Sequence, residues 1–211
     1  MTKHIGIFGG TFDPIHYGHV RSALFVLQQC QLDSVRLMPC HLPAHRATPG
    51  VNARQRADMV QLAIANHPGL QLETLELDKA SPSYTVDSLT LLRQREQDTR
   101  WYFIIGMDSL CYLKSWKNWQ QILQLAHLLV CQRPGYSQHE GDAPALMAQF
   151  GQPDLASLRQ TEAGGIIILP NRLIDISASA VRQQLQQGSV AANTLDPAVL
   201  NYIKSHRLYQ A

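Results

Sequence analysis

The most informative segment of the sequence is Gly9-Gly10-Thr11-Phe12-Asp13-Pro14-Ile15-His16-Tyr17-Gly18-His19. An apolar run at residues 4–8 precedes it and a helical pattern at residues 17–29 follows, so the segment is predicted to join a buried strand to a helix. Glycines in such a loop let a ligand approach the backbone, and the start of a helix presents unpaired N–H groups to an anion. The segment therefore predicts a phosphate site.

Two well-known glycine motifs do not fit this segment. Its glycines lack the G-x-G-x-x-G spacing, which disfavours a nicotinamide-dependent dehydrogenase, and no lysine follows a glycine as a Walker A loop requires. His16 and His19 instead share one face of the helix start, where imidazoles could donate hydrogen bonds to phosphoryl oxygens and titrate near neutrality. Gly18 between them would leave the backbone accessible to a phosphate chain. An N-cap cluster with incidental histidines, or a fragment of a zinc site, are the alternatives.

Length and composition restrict the class of protein. The 211 residues predict a single domain, 1–211, of which about 177–211 form a small C-terminal helical part. A net charge of +2 argues against an extended nucleic-acid groove. The longest apolar runs fall short of the ~20 residues that a membrane span needs. The four cysteines show no CxxC pair, and no leader is recognised, so we expect a soluble cytoplasmic protein with reduced thiols. The oligomeric state is left open, a homo-oligomer included.

Apolar runs alternate with helical patterns along the chain. Strands are predicted at residues 4–8, 35–39, 70–77, 101–106, 127–132 and 166–169. Helices are predicted at residues 17–29, 53–66, 84–97, 177–187 and 197–205, with one or two short helices between 108 and 126. Residues 138–165 form the least regular stretch, predicted as a lid or flexible excursion with a helical patch at 145–150. The alternation predicts an α/β fold with a doubly wound, mostly parallel sheet, whose ligands bind beyond the carboxyl ends of the strands.

Three further loops carry groups that bind anions. Ile176-Ser177-Ala178-Ser179-Ala180-Val181-Arg182 begins a helix with a capping serine and places an arginine within reach of the same anion. His41-Leu42-Pro43-Ala44-His45-Arg46 concentrates cationic groups in a stiffened loop. Ser83-Tyr84-Thr85 begins a helix whose N–H groups could receive a carboxylate. A capped helix with a solvated arginine, a solvated surface loop and a capped turn are the respective alternatives.

Three other residues are candidates on weaker patterns. Asp108, with Gly106 before it, ends a buried strand, where an acid commonly meets a ribose hydroxyl. Arg133 precedes Pro-Gly after the next strand, which also fits an ordinary turn. Trp116 lies in a helical patch, where a tryptophan is more often part of the core.

These motifs together resemble the nucleotidyltransferase superfamily that carries [HT]-x-G-H, and within it the bacterial nicotinate-nucleotide adenylyltransferases. The resemblance covers nearly the whole chain, and G-G-T-F-D-P-x-H-x-G-H is its most specific part. Two positions depart from the family pattern: Ser179 stands where threonine is common and Ala44 where a second proline is common, so that the hydroxyl is kept and the loop is less rigid. The resemblance implies a Rossmann-like nucleotidyltransferase fold. It also implies transfer of AMP from MgATP to nicotinate mononucleotide by direct attack on the α-phosphate, giving nicotinate adenine dinucleotide and pyrophosphate.

The resemblance also implies roles for individual residues. The implied catalytic residues are His16, His19, Arg46 and Arg182. The implied ATP-binding residues are Gly9, Gly10, Thr11, Phe12, His16, Gly18, His19, Gly106, Asp108, Arg133, Ile176, Ser177 and Arg182. The implied nicotinate mononucleotide-binding residues are His45, Arg46, Ser83, Tyr84, Thr85 and Trp116. No protein ligands for a metal are implied, because Mg²⁺ would arrive with the ATP phosphates and bind through water.

Other functions fit parts of the same pattern. A phosphopantetheine or cytidylyl transferase would share the histidine motif, but S-P-S-Y-T and I-S-A-S-A-V-R differ from the second signatures of those relatives. A regulatory module that binds nucleotide without turnover is a second alternative, which the retention of His16, His19 and Arg182 disfavours. The choice between nicotinate and nicotinamide mononucleotide depends on the geometry of one loop, so the sequence leaves it open.

Overall fold

The computed structural model describes residues 2–41, 50–77, 82–171 and 176–210, and within them a six-stranded sheet. The strands are β1 (Lys3–Gly10), β2 (Ser34–Pro39), β3 (Leu70–Leu72), β4 (Thr99–Gly106), β5 (His127–Cys131) and β6 (Ile166–Leu169). Their order is β3-β2-β1-β4-β5-β6, and each neighbouring pair is parallel. This is the strand order of a doubly wound sheet.

Helices cover both faces of the sheet. They are α1 (Tyr17–Gln29), α2 (Ala53–Ile64), α3 (Thr85–Arg95), α4 (Met107–Cys111), α5 (Trp119–Leu125), α6 (Ala143–Phe150), α7 (Leu155–Leu158), α8 (Ala178–Gln186) and α9 (Pro197–Ser205). Alternate residues of β4 enter two separate apolar clusters: Ile104 packs in the cluster of α1, α2 and α9, and Phe103 in the cluster of α3, α5 and α6. A strand buried on both faces carries a continuous apolar run, as residues 101–105 of β4 do. None of the helices in the described ranges is long and apolar enough to cross a membrane.

The predicted fold class is confirmed, and most predicted elements agree with the structure to within two residues at each end. The strand predicted at residues 70–77 is wrong in its length, because β3 ends at Leu72. The carboxylate of Glu73 accepts hydrogen bonds from Arg36 at 3.3 Å and from the Leu75 N–H at 3.1 Å. These bonds, and a turn in which the Leu77 N–H reaches the Thr74 carbonyl at 3.0 Å, replace the strand pairing.

The segment 138–165 is more regular than its composition suggests. It contains α6, which begins at Ala143 rather than at the predicted 145, and α7. Two backbone bonds fix it: the Asp142 N–H donates to the Cys111 carbonyl at 2.9 Å, and the Gln152 N–H to the Ile166 carbonyl at 2.9 Å. The segment therefore packs against the sheet near β6.

The sheet places a cleft at one position. Strand β1 has β2 on one side and β4 on the other. The chain that leaves β1 enters α1 on one face of the sheet, and the chain that leaves β4 enters α4 on the opposite face. Connections that diverge in this way leave a crevice beyond the carboxyl ends of the two strands. The crevice lies between Gly10 at the end of β1 and Gly106 at the end of β4.

Strand β5 begins with a buried histidine, His127. The His127 side chain is 0% exposed, its Nδ1 accepts from the Gly165 N–H at 3.1 Å, and its Nε2 lies 3.1 Å from the Thr161 carbonyl oxygen. Both ring nitrogens are satisfied by the neutral tautomer that carries its proton on Nε2. Burial lowers the pKa of His127 to about 4.

We predict that His127 makes the free energy of unfolding fall as the pH drops from about 6.5 towards 4. In the unfolded chain the His127 imidazole binds a proton below its ordinary pKa of about 6.5. In the folded protein it stays neutral down to about pH 4. The free energy of unfolding is measured with urea at pH 7 and at pH 5. Between these two pH values it should fall by about 1–2 kcal/mol less in His127→Gln than in the parent chain. Equal losses in the two proteins would contradict this assignment.

Candidate active site

The crevice is a cleft of about 550 Å³ at the carboxyl ends of β1 and β4. The predicted site residues that line it are Gly9, Gly10, Thr11, Phe12, His16, His19, Ser83, Thr85, Gly106, Asp108, Trp116, Arg133, Ser177 and Arg182. Tyr84 lines a smaller adjoining pocket. Gly18 and Ile176 do not line the cleft wall. His45 and Arg46 lie outside the described residues.

His16 and His19 form a stacked pair at the start of α1. Their ring centroids are 3.7 Å apart, with an interplanar angle of 28°. His16 is the N-cap residue in extended backbone, and its N–H donates to His19 Nδ1 at 3.3 Å. Because Nδ1 accepts, the proton of neutral His19 is on Nε2. The stacked pair therefore lies at the N-terminal end of α1, on the wall of the cleft.

Burial determines the charge of His16. The residue is 6% exposed, and its Nδ1 is buried without a hydrogen-bond partner in the described part of the chain. Burial, with a smaller contribution from Arg133, lowers the pKa of His16 to about 4. The expectation that this imidazole titrates near neutrality is wrong, because a ring so shielded from water stays neutral at pH 7. His16 can offer hydrogen bonds but no positive charge.

Gly18 lies directly against the His16 ring. A Cβ at position 18 would lie 2.9 Å from both Cε1 and Nδ1 of His16, closer than real contacts allow. The glycine therefore makes room for the His16 ring and permits the stacked arrangement.

Arg182 connects α8 to the first loop. Its Nη1 donates to the Asp13 carbonyl at 2.7 Å, and its Nη2 donates to Ser179 Oγ at 3.3 Å. The Asp13 carboxylate lies 3.8 Å from the same Nη1. Ser177 Oγ accepts from the Ala180 N–H at 3.2 Å and caps α8, as the capped-helix alternative predicted. Ser177 and Arg182 both line the cleft. The capped start of α8 and the arginine that could bind an anion therefore lie at the same place.

Asp108 lies in the first turn of α4, directly after β4. Its Oδ1 is buried and has no hydrogen-bond partner among the described residues, while its Oδ2 lies 3.5 Å from Arg133 Nη1. A Cβ at Gly106 would collide with Asp108 Oδ1, so the glycine lets the carboxylate fold back over the strand end. An unsatisfied buried oxygen is costly without a partner, and a ligand hydroxyl is a suitable one.

The smaller pocket adjoins the cleft at the start of α3. Its lining residues are Ser83, Tyr84, Thr85, Trp116, Lys117 and Ile122. Tyr84 is the N-cap residue of α3, so N–H groups of the first turn lie at this end of the helix. Trp116 packs edge-on against Phe103 with centroids 6.3 Å apart, and is only half-buried. It therefore forms a wall that both cavities share.

Sequence analysis missed Arg56, which is 1% exposed. Its guanidinium donates to the carbonyls of Thr11, Cys40 (2.7 Å) and His41 (3.1 Å), and its Nε donates to the Val51 carbonyl at 3.2 Å. One buried cation thus ties the loop after β1 to the loop after β2. The pattern contained a signal, because an arginine within the apolar face of α2 has to be buried with its charge.

Glu76 was also missed, and it lines the cleft. The side chain is buried, and the Ser88 hydroxyl of α3 donates to its Oε1 at 2.5 Å. Nothing in the sequence distinguishes it from a solvated glutamate, because the burial arises from the turn after β3. Groups of three or more His, Cys, Asp or Glu side chains placed to hold a metal ion are absent from the described residues.

The strand order, the cleft and the histidine pair at the first helix define the nucleotidyltransferase type of α/β fold. The sequence model of the cytidylyltransferase-like family matches residues 7–184 of the chain. A solved structure, Plasmodium falciparum nicotinic acid mononucleotide adenylyltransferase complexed with NaAD, aligns with 98% of this chain and 97% of its own. The TM-score is 0.73 at 20% sequence identity, which shows a shared fold.

Two curated relatives are similar over almost their whole length. A Cellvibrio japonicus protein named "Probable nicotinate-nucleotide adenylyltransferase" is 46% identical, with 100% of each chain covered. A Hydrogenovibrio crunogenus protein of the same name is 43% identical, covering 98% of this chain and 97% of that one. The chain therefore belongs to the cytidylyltransferase-like family, among the nicotinate-nucleotide adenylyltransferases. The resemblance inferred from the motifs is confirmed.

We predict that Arg56→Lys lowers the free energy of unfolding by about 2–4 kcal/mol, because an ammonium cannot reach all the carbonyls that the guanidinium satisfies. Urea denaturation measures the change. Arg54→Lys is the matched control, since Arg54 is exposed on the same helix, and it should change stability by less than about 0.5 kcal/mol. Equal effects of the two substitutions would refute a bridging role for Arg56.

Proposed function

We propose that the chain transfers the adenylyl group of MgATP to nicotinate mononucleotide, forming nicotinate adenine dinucleotide and pyrophosphate in NAD biosynthesis. The observation that carries this proposal is the stacked His16–His19 pair at the start of α1, which lines the same cleft as Arg182. Imidazole donors and a guanidinium at the start of a helix suit a phosphorus centre on which negative charge increases.

The ATP side of the proposal uses the floor of the cleft. Gly9, Gly10 and Thr11 bring backbone close to the phosphates, and His19 Nε2 donates to the α-phosphate. Arg182 offsets charge on the departing pyrophosphate. Mg²⁺ enters as part of the ATP substrate and neutralises the phosphates. The proposed contacts to the rest of ATP are Phe12, Gly106, Asp108, Arg133, Ile176 and Ser177, with Gly18 acting through the His16 ring.

The acceptor side uses the smaller pocket. Its supporting features are the N–H groups at the start of α3, which could receive a carboxylate, and the Trp116 ring, against which a pyridine ring could stack. Ser83 lies between this pocket and the cleft, and its Oγ accepts from the His41 N–H at 3.3 Å. His45 and Arg46 are proposed to contact nicotinate mononucleotide on the ground of the sequence motif alone. Arg46 would also act as a further cation at the phosphates.

No covalent enzyme intermediate is needed in this reaction. The phosphate of nicotinate mononucleotide attacks the α-phosphorus of ATP, the new P–O bond forms as the bond to pyrophosphate breaks, and both reactants are polyanions. The chain contributes positioning and counter-charge, for which a single well-placed donor is worth about 3–4 kcal/mol.

We further propose that residues 1–211 act as one nucleotidyltransferase domain in the cytoplasm. The free thiols of Cys30, Cys40, Cys111 and Cys131 support a reducing compartment. The near balance of charge supports small-molecule substrates rather than nucleic acid.

Pyrophosphate release tests the function. MgATP is supplied in parallel with nicotinate mononucleotide, nicotinamide mononucleotide or phosphopantetheine, and the products are identified by mass. Turnover that strongly favours nicotinate mononucleotide is the expected result. Preference for another acceptor would overturn the acceptor assignment, and no turnover with any acceptor would favour the regulatory nucleotide-binding module.

We predict that His19→Ala lowers kcat by about 100-fold or more with folding intact, because the substitution removes a donor at the phosphorus centre. Steady-state kinetics and the thermal unfolding midpoint are measured together. His206→Ala is the control, since this exposed histidine lies at the end of α9 and outside the cleft lining. A rate near that of the parent chain in His19→Ala would remove His19 from the mechanism.

A further inference from the structure

The turn that follows α9 returns to the first loop of the chain. Tyr209 lies in this turn, and its hydroxyl donates to Asp13 Oδ1 at 2.6 Å. The two residues are 196 positions apart in the sequence. Asp13 is the residue that faces Arg182 in the cleft. The hydroxyl thus reaches the residue that binds the cleft arginine.

The backbone of the turn holds Tyr209 in place. The Leu208 N–H donates to the Ile203 carbonyl at 3.0 Å, and both Leu208 and Tyr209 pack against the apolar cluster on the α1 face. Tyr209 has a φ of +59°, a left-handed conformation that is uncommon for an aromatic residue. Burial, followed by the bond to Asp13, strongly raises the pKa of the hydroxyl, so the group stays protonated as a donor.

The Asp13 carboxylate is an unusual neighbour for a site that would bind a polyanion. Its Oδ1 accepts from Tyr209, and its Oδ2 lies 3.8 Å from Arg182 Nη1, farther than a direct hydrogen bond. The Asp13 carbonyl, not the carboxylate, accepts the 2.7 Å bond from that nitrogen. A carboxylate without the tyrosine could rotate to form a close ion pair and withdraw the guanidinium from a phosphate ligand.

We propose that Tyr209 is a positioning residue for ATP, which acts by holding the Asp13 carboxylate back from Arg182. This inference rests on the proposed function only in assigning Arg182 to the ATP phosphates. It adds a residue from the last turn of the described chain to a site otherwise formed by the strand ends and by α1 and α8.

The chain contains a matched control for a purely structural effect. Tyr202, in α9, donates its hydroxyl to Asp58 Oδ2 at 2.8 Å. Both tyrosines therefore connect the last helical segment to the body of the protein through a tyrosine–aspartate bond. Neither Tyr202 nor Asp58 lines the cleft.

We predict that Tyr209→Phe raises the KM for ATP, and the Kd of a non-hydrolysable ATP analogue measured by calorimetry, about fivefold or more. The KM for nicotinate mononucleotide should stay within about twofold, while kcat falls, because Arg182 also offsets charge on the departing pyrophosphate. Tyr202→Phe should leave all four values unchanged, although its unfolding midpoint falls. An unchanged analogue Kd in Tyr209→Phe, or the same change in Tyr202→Phe, would overturn the inference.

A double-mutant cycle separates positioning from general loosening. On an Arg182→Ala background, Tyr209→Phe should not raise the analogue Kd further, because the residue it acts through is gone. An additive rise would overturn the inference. The analogue Kd also distinguishes a failure of the proposed function from a failure of the Tyr209 inference. If the parent chain releases no pyrophosphate with nicotinate mononucleotide, the proposed function fails. A selective loss of analogue affinity in Tyr209→Phe would still support the positioning role.

Discussion

Strand β1 pairs in parallel along both edges, with β2 on one side and β4 on the other, and the remaining structure depends on this double pairing. Parallel partners on both edges require connections that pass over the sheet, and these diverge to opposite faces at β1. The loop after β1 therefore opens onto the crevice, where a ligand can meet the backbone. The histidine motif lies in this loop because the topology leaves it open.

The open loop needs support, and Arg56 supplies it. Among the described residues, the guanidinium donates to backbone carbonyls of the two loops and to no carboxylate. A buried cation of this kind stabilises only one arrangement of the two loops, because each N–H has a fixed direction. The side chain that contributes this order comes from α2, which has no motif of its own.

The fold was predictable from sequence because β4, β5 and β6 each contain a continuous apolar run, and because glycine follows α6 and α8. The extent of β3 was not predictable, since the alternation of residues 70–77 is that of a strand, and only the distant arginines that bind Glu73 explain why pairing stops. Motif and resemblance found most of the cleft lining. They could not find Arg56 or Glu76, whose burial depends on packing between distant elements, or the low pKa of His16, which depends on the depth of the ring.

The contact between Asp13 and Tyr209 has a consequence for how the protein is made. Synthesis proceeds from the amino end, so all six strands, which end at Leu169, are present before α8, α9 and the last turn emerge from the ribosome. The sheet can form on the nascent chain while the cleft still lacks Ser177, Arg182 and Tyr209. A chain interrupted in translation after the sheet would therefore lack the residues that α8 and α9 add to the apolar cluster on the α1 face, as well as part of its site.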